Sequence, residues 1–317
     1  MRQLVIVTPT MPCKIRLPAS NYKVHMRLIT HSLSALLLFA CSGPGASEQT
    51  NPQAKSAGVP TLEKLWVRDG FSAPEGVAAA PEGGYFISNV SGEGDAKDGE
   101  GWVSRISETG EVLEERLVDG MNAPKGMAVY ADVLYVSDID TVRRFRLPGG
   151  EALSDIPIDG AQFLNDATVW DGAVYVSDSG MSRIYRIDGD NASVWLESDA
   201  LGGVNGLLGD GARLLITTMD TGALIEADAD GTLTKLADGM IDGDGVGLPA
   251  SGGYLVSAWR GDIFFVSEDG AVVKLLDTRE EGILQNDLSV FGDTVIIPNW
   301  RPGTVTAWRV SPSPAAE

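Results

Sequence analysis

Short apolar runs, each ended by Gly, Asp or Asn, follow one another at nearly regular intervals from Thr61 to Val310. The third of six similar segments shows the unit, which has four predicted strands at 167–170, 173–178, 182–187 and 193–197. Asp171-Gly172 between its first two runs is a strong hairpin signal. The second run of each segment is almost wholly apolar, so we expect that strand to be buried on both faces. The pattern predicts an all-β fold of four-stranded antiparallel sheets.

One polar residue, followed by a small residue or a short apolar run, recurs once in each segment. The repeated polar positions are Glu75, Lys125, Asp166, Asn205, Asp244 and Asp287. They are separated by 50, 41, 39, 39 and 43 residues. A period of about 40 to 45 residues with mostly strand-like content is typical of a propeller blade. This repeat therefore predicts a single domain, a six-bladed β-propeller over residues 61–310.

The ends of this region are predicted to meet in one blade. The sixth segment stops after three strands, the last of them at 304–310, and so lacks its outer strand. The stretch 61–70 resembles the outer strand at 112–120 and precedes the first segment. We expect this N-terminal strand to complete the last blade, because closing the ring removes an open sheet edge.

Residues 1–40 contain five basic residues and no acidic residue. The apolar run 28–40 is too short for a stable membrane anchor and has the length of a signal-peptide core. It leads into Leu38-Phe39-Ala40-Cys41-Ser42, which resembles the lipobox of bacterial lipoproteins; the alternative is an apolar patch before a chance cysteine. We expect a signal segment over 1–40 with a true start at Met26, a lipidated Cys41, a flexible tether over 41–60 and a disordered tail over 311–317. The expected location is the periplasmic side of the outer membrane of a Gram-negative bacterium.

Loss of residues 1–40 changes the chemistry that remains. Both histidines (His25 and His31) and Cys13 lie in that segment, and the net charge moves from −20 to −25 because five basic residues go with it. Catalytic triads with histidine, thiolate nucleophiles, disulfides and Cys/His zinc sites are then excluded. Such an acidic protein repels nucleic acid and anionic lipid. The expected partners are a small molecule, the membrane through the lipid alone and, as an open alternative, another protein.

The first strand of each propeller blade lines the central channel, so the six repeated polar positions are expected to face one another. Crowded carboxylates repel, and burying them unpaired is costly. A divalent cation removes that cost, and two carboxylates (Glu75 and Asp244) with the amide oxygen of Asn205 form a hard-oxygen set suited to one. Asp and Asn also favour turns for local reasons, which leaves a structural or solvated ring as the alternative.

These residues carry a resemblance to the family of senescence marker protein (regucalcin) and gluconolactonases, which are six-bladed propellers. The resemblance covers residues 61–310 and rests on four dipeptides in the family's order: Glu75-Gly76, Asn165-Asp166, Asn205-Gly206 and Asp244-Gly245. It implies that Glu75, Asn205 and Asp244 bind one divalent cation and that Asn165 contacts the substrate.

The resemblance further implies a metal-dependent hydrolase of lactones or esters, using calcium, magnesium, manganese or zinc. In such an enzyme Asp244 would be both ligand and general base, and Asn165 and Asp166 would bind substrate. Lys125 has no counterpart in the family pattern: it could bind substrate and stabilise the developing negative charge, pair with Asp166 or a bound anion, or weaken metal binding. The chain departs from the family at Phe163, where sugar lactonases carry an arginine close to the asparagine. The alternative function is a tethered, non-catalytic propeller that binds a protein, peptide or glycan.

Three further features have open interpretations. Asn286-Asp287 is a candidate for an additional oxygen ligand. Corresponding positions in the last two segments are occupied by Trp259-Arg260 and Trp300-Arg301. These pairs are either packing residues or the lining of a ligand pocket. A Gly-rich acidic loop, which accounts for most of the long first step of 50 residues, is a candidate cover for one channel mouth; its acidic residues are Glu93, Asp95, Asp98 and Glu100.

Overall fold

The computed structural model describes residues 58–312. Contacts divide the chain into residues 1–53 and 54–317, and the propeller lies in the second unit. The predicted signal segment, Cys41 and most of the tether lie outside the described residues, as do residues 313–317 of the tail. A helix long and apolar enough to cross a membrane does not occur within residues 58–312.

Within the described range the chain forms 26 β-strands and two 3-10 helices, at Asp199–Leu201 and Arg279–Glu281. The strands are β1 (Thr61–Arg68), β2 (Pro74–Ala79), β3 (Tyr85–Asn89), β4 (Gly101–Ile106), β5 (Val112–Met121), β6 (Pro124–Tyr130), β7 (Val133–Asp138), β8 (Thr141–Arg146), β9 (Glu151–Ala152), β10 (Ile156–Pro157), β11 (Leu164–Trp170), β12 (Ala173–Asp178), β13 (Arg183–Asp188), β14 (Asn191–Glu197), β15 (Val204–Asp210), β16 (Arg213–Thr218), β17 (Leu224–Ala227), β18 (Leu233–Ala237), β19 (Gly243–Gly247), β20 (Tyr254–Ala258), β21 (Asp262–Val266), β22 (Val272–Asp277), β23 (Leu284–Gln285), β24 (Ser289–Phe291), β25 (Thr294–Arg301) and β26 (Thr304–Ser311).

These strands form six antiparallel sheets in a ring, a six-bladed β-propeller, which confirms the predicted fold class. Blade 1 contains β2 to β5, blade 2 contains β6 to β10, and blades 3, 4 and 5 contain β11 to β14, β15 to β18 and β19 to β22. Blade 6 contains β23 to β26 together with β1. The short strands β9 and β10 both pair with β8, so they divide the outer position of blade 2 between them.

The N-terminal strand closes the ring as predicted. Strand β1 pairs antiparallel with β26, from Thr61 opposite Ser311 to Arg68 opposite Val305. Strand β26 extends through Ser311, one residue beyond the predicted end of the propeller. Strand β1 is therefore the outer strand of blade 6. It covers the edge of β26 that would otherwise be exposed.

The core lies between neighbouring blades. Each of six apolar clusters joins two adjacent sheets; in one, Trp170 and Tyr175 of blade 3 pack with Leu207 and Ile216 of blade 4. Strands β3, β12 and β20 are buried along their whole length, because both of their faces meet a neighbouring blade. The predicted hairpin is also present, with φ of 45° at Asp171 and 70° at Gly172, as a turn of the I′ type requires.

Candidate functional site

The repeated polar position coincides with a β-bulge in the first strand of each blade. In blade 1 the pairing shifts between Pro74 and Val77, and the same shift recurs in blades 2 to 5. In blade 6 the first strand is broken at this point, with β23 ending at Gln285 and β24 beginning at Ser289. A bulge leaves two residues outside the regular ladder and re-aims their side chains.

A hydroxyl from the second strand holds the bulge in each of blades 1 to 5. The Oγ atoms of three serines accept N–H groups: Ser88 from Gly76 (2.7 Å), Ser177 from Asp166 (2.9 Å) and Ser257 from Gly245 (2.8 Å). Ser137 and Thr217 instead donate to the carbonyl oxygens of Asn165 and Asp244 in the following blade, and they lie 3.2 and 3.5 Å from the carbonyl oxygens of Gly126 and Gly206 in their own. Sequence reasoning missed this role, although a hydroxyl residue recurs at that strand end at about blade spacing.

The first residue of each bulge faces a common cavity on the axis. The cavity is lined by six polar side chains, here called the polar ring: Glu75, Lys125, Asn165, Asn205, Asp244 and Asn286. Every one of them is at least nine-tenths buried. All the residues predicted to bind the metal are therefore brought together, along with Asn165 and Lys125.

The predicted membership of the ring is wrong in two blades. Asp166 and Asp287 lie one residue further along the chain, at the second bulge position, and line the channel beneath the ring. That position is occupied by glycine in blades 1, 2, 4 and 5. A Cβ at Gly126 or Gly245 would collide with the carboxylate of Asp166 or Asp287, respectively, in the following blade. Close packing of the first strands therefore explains both the small residue of the repeat and the displacement of the two aspartates.

The two carboxylates of the ring resist ionisation. Burial, the largest cause, and the charge of Asp166 together raise the pKa of Asp244 from 3.8 to about 8, while the nearby Asn205 amide opposes the change. Burial also raises the pKa of Glu75 well above its ordinary value; the Asp244 charge adds to this effect and the Lys125 ammonium opposes it. No hydrogen bond from the described residues reaches the Glu75 carboxylate, which therefore lies buried with its acceptor oxygens available.

Lys125 is the cationic member of the ring. Its Nζ donates to the carbonyl oxygens of Gly94 (2.8 Å) and Ala123 (3.1 Å) and lies 4.3 Å from the centre of the Phe163 ring. Burial lowers its pKa, while the charge of Glu75 is the largest effect that raises it. Lys125 makes no direct ion pair with Asp166.

Two of the three ring asparagines are held in place by a hydrogen bond from the amide N–H. Nδ2 of Asn165 donates to Ser179 Oγ (3.1 Å), and Nδ2 of Asn286 donates to the Pro74 carbonyl oxygen (3.0 Å). The Asn205 amide lies near the Asp244 carboxylate and favours its ionised form. Because Asn165 and Asn286 each donate an amide N–H to a protein acceptor, their carbonyl oxygens are available to bind a ligand.

The donor set fits a hard divalent cation. Two buried carboxylates and up to three amide oxygens match the ligands that calcium and magnesium prefer. No group of three or more His, Cys, Asp or Glu side chains in metal-binding geometry occurs within residues 58–312, so a cation here would depend on the amide oxygens as well. The sequence suggested an additional oxygen ligand at Asn286-Asp287. In the structure Asn286 is the ring residue of blade 6 and a further oxygen donor.

The cavity above the ring has apolar walls and a volume of about 240 Å³. Its walls are formed by Gly94, Phe163, Met219, Trp259 and Trp300, which come from five different blades. The two tryptophan rings meet edge to face, 5.8 Å apart at 81°. Gly94 belongs to the acidic loop between β3 and β4, so this loop forms part of the mouth, where Lys125 bonds to it.

The fold of the chain is similar to that of several solved propellers. A gluconolactonase from Xanthomonas campestris has a TM-score of 0.61 and 18% identity, covering 81% of this chain and 92% of that one. A putative gluconolactonase has a TM-score of 0.59 and 18% identity, covering 83% and 97%. A catalytically inactive histidine-to-alanine variant of virginiamycin B lyase from Staphylococcus aureus has a TM-score of 0.57 and 13% identity, covering 79% and 99%.

No protein-family model and no curated protein sequence matches the chain. The structural neighbours, at 13 to 18% identity, establish the six-bladed propeller fold and leave the activity to be argued from the site.

Proposed function

We propose that the protein is a divalent-metal-dependent hydrolase that opens lactones or esters at the polar ring. The observation that carries this proposal is the pairing of two buried carboxylates, Glu75 and Asp244, with amide oxygens that have no other role in one small cavity. Burying two carboxylates side by side is costly unless a cation binds them. The similarity in fold to gluconolactonases supports the reaction class.

In this proposal Glu75, Asn205 and Asp244 hold the cation, with Asn286 as a further oxygen donor. A bound divalent cation would supply polarisation of the substrate carbonyl and lower the pKa of a water molecule. Asp244 accepts the proton of the attacking water, a task for which a carboxylate poised near neutral pH is suited. Asn165, fixed by Ser179, orients the substrate.

Lys125 has an electrostatic role in the same reaction. Its ammonium group is held in the ring by two carbonyl oxygens, so it needs no rearrangement to face negative charge that develops on the substrate. Fixed charges of this kind stabilise an oxyanion or a product carboxylate in a site that excludes water. Asp166 is not assigned a substrate contact, because it lines the channel and not the cavity.

A lyase reaction of the kind named for the staphylococcal neighbour is less well supported. The variant in that structure is inactive after loss of a histidine. This chain has histidine only at His25 and His31, outside the propeller. The carboxylates and amides of the ring favour hydrolysis.

We also propose that a lipid on Cys41 holds the propeller at the periplasmic side of the outer membrane. The support comes from the sequence alone, from the apolar run before Cys41 and the polar stretch after it. A tether of about twenty residues would let the cavity act on molecules in the periplasm while the anchor stays in the membrane.

The decisive experiment is a hydrolysis assay on a panel of lactones and aryl esters with chelator-stripped protein. The assay is repeated after addition of calcium, magnesium, manganese or zinc, and calorimetry measures binding of each ion. We expect one ion to bind and to restore turnover. Asn165→Ala should keep the ion and lose turnover, whereas Asn191→Ala, at an exposed position in an outer strand, should change neither.

Two results would contradict the proposal in different ways. Binding of an ion without hydrolysis of any panel member would favour the non-catalytic binding module. Absence of divalent binding in calorimetry would remove the metal site and the hydrolase together.

A further inference from the structure

The walls of the cavity differ in chemistry from its floor. Below lie the polar ring and its charges, and above lie two tryptophans, a phenylalanine and a methionine that are each only partly buried. Apolar side chains that remain partly exposed inside a cavity gain from contact with an apolar ligand. The question is which kind of substituent would occupy that space.

Trp300 and Trp259 are held in place by the fold. Trp300 packs against a small cluster of Val90, Ala123 and Ile139 at the base of the acidic loop. The backbone N–H of Trp259 donates to the Asp242 carbonyl oxygen (2.8 Å), just before β19. The edge-to-face contact between the two indoles then fixes their relative orientation. The aromatic wall is therefore formed before any ligand binds.

Phe163 forms a third aromatic side of the cavity. One face of its ring is occupied by the Lys125 ammonium, which fixes the ring beside the polar floor. Apart from the two indole N–H groups, the side chains of the walls have no hydrogen-bonding group. A ligand with many hydroxyl groups would leave those hydroxyls unpaired against the walls, which is costly.

We propose that Trp259, Trp300 and Phe163 bind an aromatic or other apolar ring carried by the substrate, so that the preferred substrates are lactones with such a substituent and not polyhydroxylated sugar lactones. This inference rests on the proposed function for the reaction itself. The cavity of about 240 Å³ lies just below the usual range of ligand pockets, about 300 to 1,000 Å³, so the substrate is a small molecule.

The test compares three lactones: γ-phenyl-γ-butyrolactone, unsubstituted γ-butyrolactone and glucono-δ-lactone. We expect kcat/KM to be highest for the phenyl lactone. Trp259→Leu and Trp300→Leu should each lower kcat/KM for the phenyl lactone by about tenfold or more, and change that for γ-butyrolactone by less than about threefold. Trp259→Phe and Trp300→Phe should recover part of the preference because they keep a ring.

The matched control is Trp66→Leu. Trp66 is also partly buried, but it lies in the outer strand β1 and bonds through its indole to the Glu108 carbonyl oxygen. This variant should leave the ratio of the two butyrolactone rates unchanged. Preference of the wild type for glucono-δ-lactone, or an unchanged ratio in both Trp→Leu variants, would overturn the inference.

A binding measurement separates this inference from the proposed hydrolysis. The probe is 5-phenyl-2-pyrrolidinone, a lactam that resembles the phenyl lactone and resists hydrolysis, with unsubstituted 2-pyrrolidinone as its control. Tighter binding of the phenyl lactam, weakened in both Trp→Leu variants, would support the aromatic site even if no lactone were hydrolysed. Equal binding of the two lactams by the wild type would likewise overturn it, whatever the fate of the hydrolase proposal.

Discussion

Lys125 and Glu75 face each other across neighbouring blades, and each favours the charged form of the other. Burial is the largest influence on both groups, raising the pKa of Glu75 and lowering that of Lys125, and their mutual attraction opposes both changes. The ring therefore contains an internal cation next to the carboxylates that are proposed to hold a metal. That arrangement weakens the attraction for a second cation and places positive charge beside the proposed substrate site.

Lys125→Met should therefore separate metal binding from turnover. Removing one positive charge from the ring should tighten divalent binding by about tenfold, corresponding to roughly 1.4 kcal/mol of electrostatic free energy. The same change should lower kcat, because the ammonium is proposed to stabilise negative charge on the substrate. Calorimetry and hydrolysis rates check the two effects. Lys97→Met, at an exposed ion pair with Asp140, should change neither quantity, and weaker metal binding in Lys125→Met would contradict the electrostatic assignment.

Asp244→Asn should remove most of the stabilisation that metal gives to the fold. At a hundredfold excess of metal over its dissociation constant, binding to the native state should raise the free energy of unfolding by about 2.7 kcal/mol. Loss of one of two ring carboxylates should abolish most of that gain, as measured by denaturation with and without metal. Asp242→Asn, the same change two residues earlier at a partly exposed site, should retain it. Equal gains in the wild type and Asp244→Asn would exclude Asp244 as a ligand.

The channel aspartates should make metal-free protein less stable as pH rises. Burial raises the pKa of Asp166 from 3.8 to about 7. Hydrogen bonds from the backbone N–H groups of Leu207 and Ala167 oppose this rise. Between those two pH values the folded protein holds a proton that the unfolded chain has released, so the free energy of unfolding falls as pH rises from about 4 through 7. Denaturation in the presence of chelator at pH 5 and pH 8 measures this change.

Asp166→Asn should reduce that pH dependence, although Asp287, Glu75 and Asp244, whose pKa values are also raised chiefly by burial, will retain part of it. Glu268→Gln, at an exposed turn, should leave the dependence intact. Higher stability at pH 8 than at pH 5 in the metal-free wild type would contradict the assignment of buried, protonated carboxylates.

Closure of the ring by β1 should be essential for stability. A chain that begins at Phe71 lacks β1 and exposes the edge of β26, so we expect aggregation or a Tm lower by roughly 10 °C or more, as a loss of several kcal/mol would give in a domain of this size. A chain that begins at Pro60 retains the strand and should match the longer protein. Calorimetric melting compares the two, and equal Tm values would show that the pairing of β1 with β26 contributes little.

Cys41→Ala should release the protein from the membrane fraction or leave it unprocessed, because the thiol is the expected site of lipid attachment. Cell fractionation and mass spectrometry of the N-terminus measure the outcome. Ser42→Ala, the neighbouring change that keeps the cysteine, should still be anchored. Recovery of the wild type from the cytoplasm with residues 1–40 intact would contradict the proposed location.

The sequence by itself determined the six blades and the strand that closes the ring. These features depend on short-range sequence patterns. Alternating apolar runs predict the strands, and turns such as Asp171-Gly172 predict the hairpins that join them within each blade. The repeat also located the polar ring to within one residue, and it identified Glu75, Lys125, Asn205 and Asp244 as members of it.

Only the tertiary structure decided which residue of each bulge faces the cavity. Asn165 and Asp166 are both polar and adjacent, and no local pattern distinguishes them. Gly126 of the preceding blade leaves room for Asp166, whose carboxylate accepts the N–H group of Leu207 in the following blade (2.7 Å), and Asn165 faces the cavity instead. The aromatic wall has the same origin: Phe163, Trp259 and Trp300 are far apart in the chain, and they share one cavity because the propeller brings the same end of every blade to a single axis.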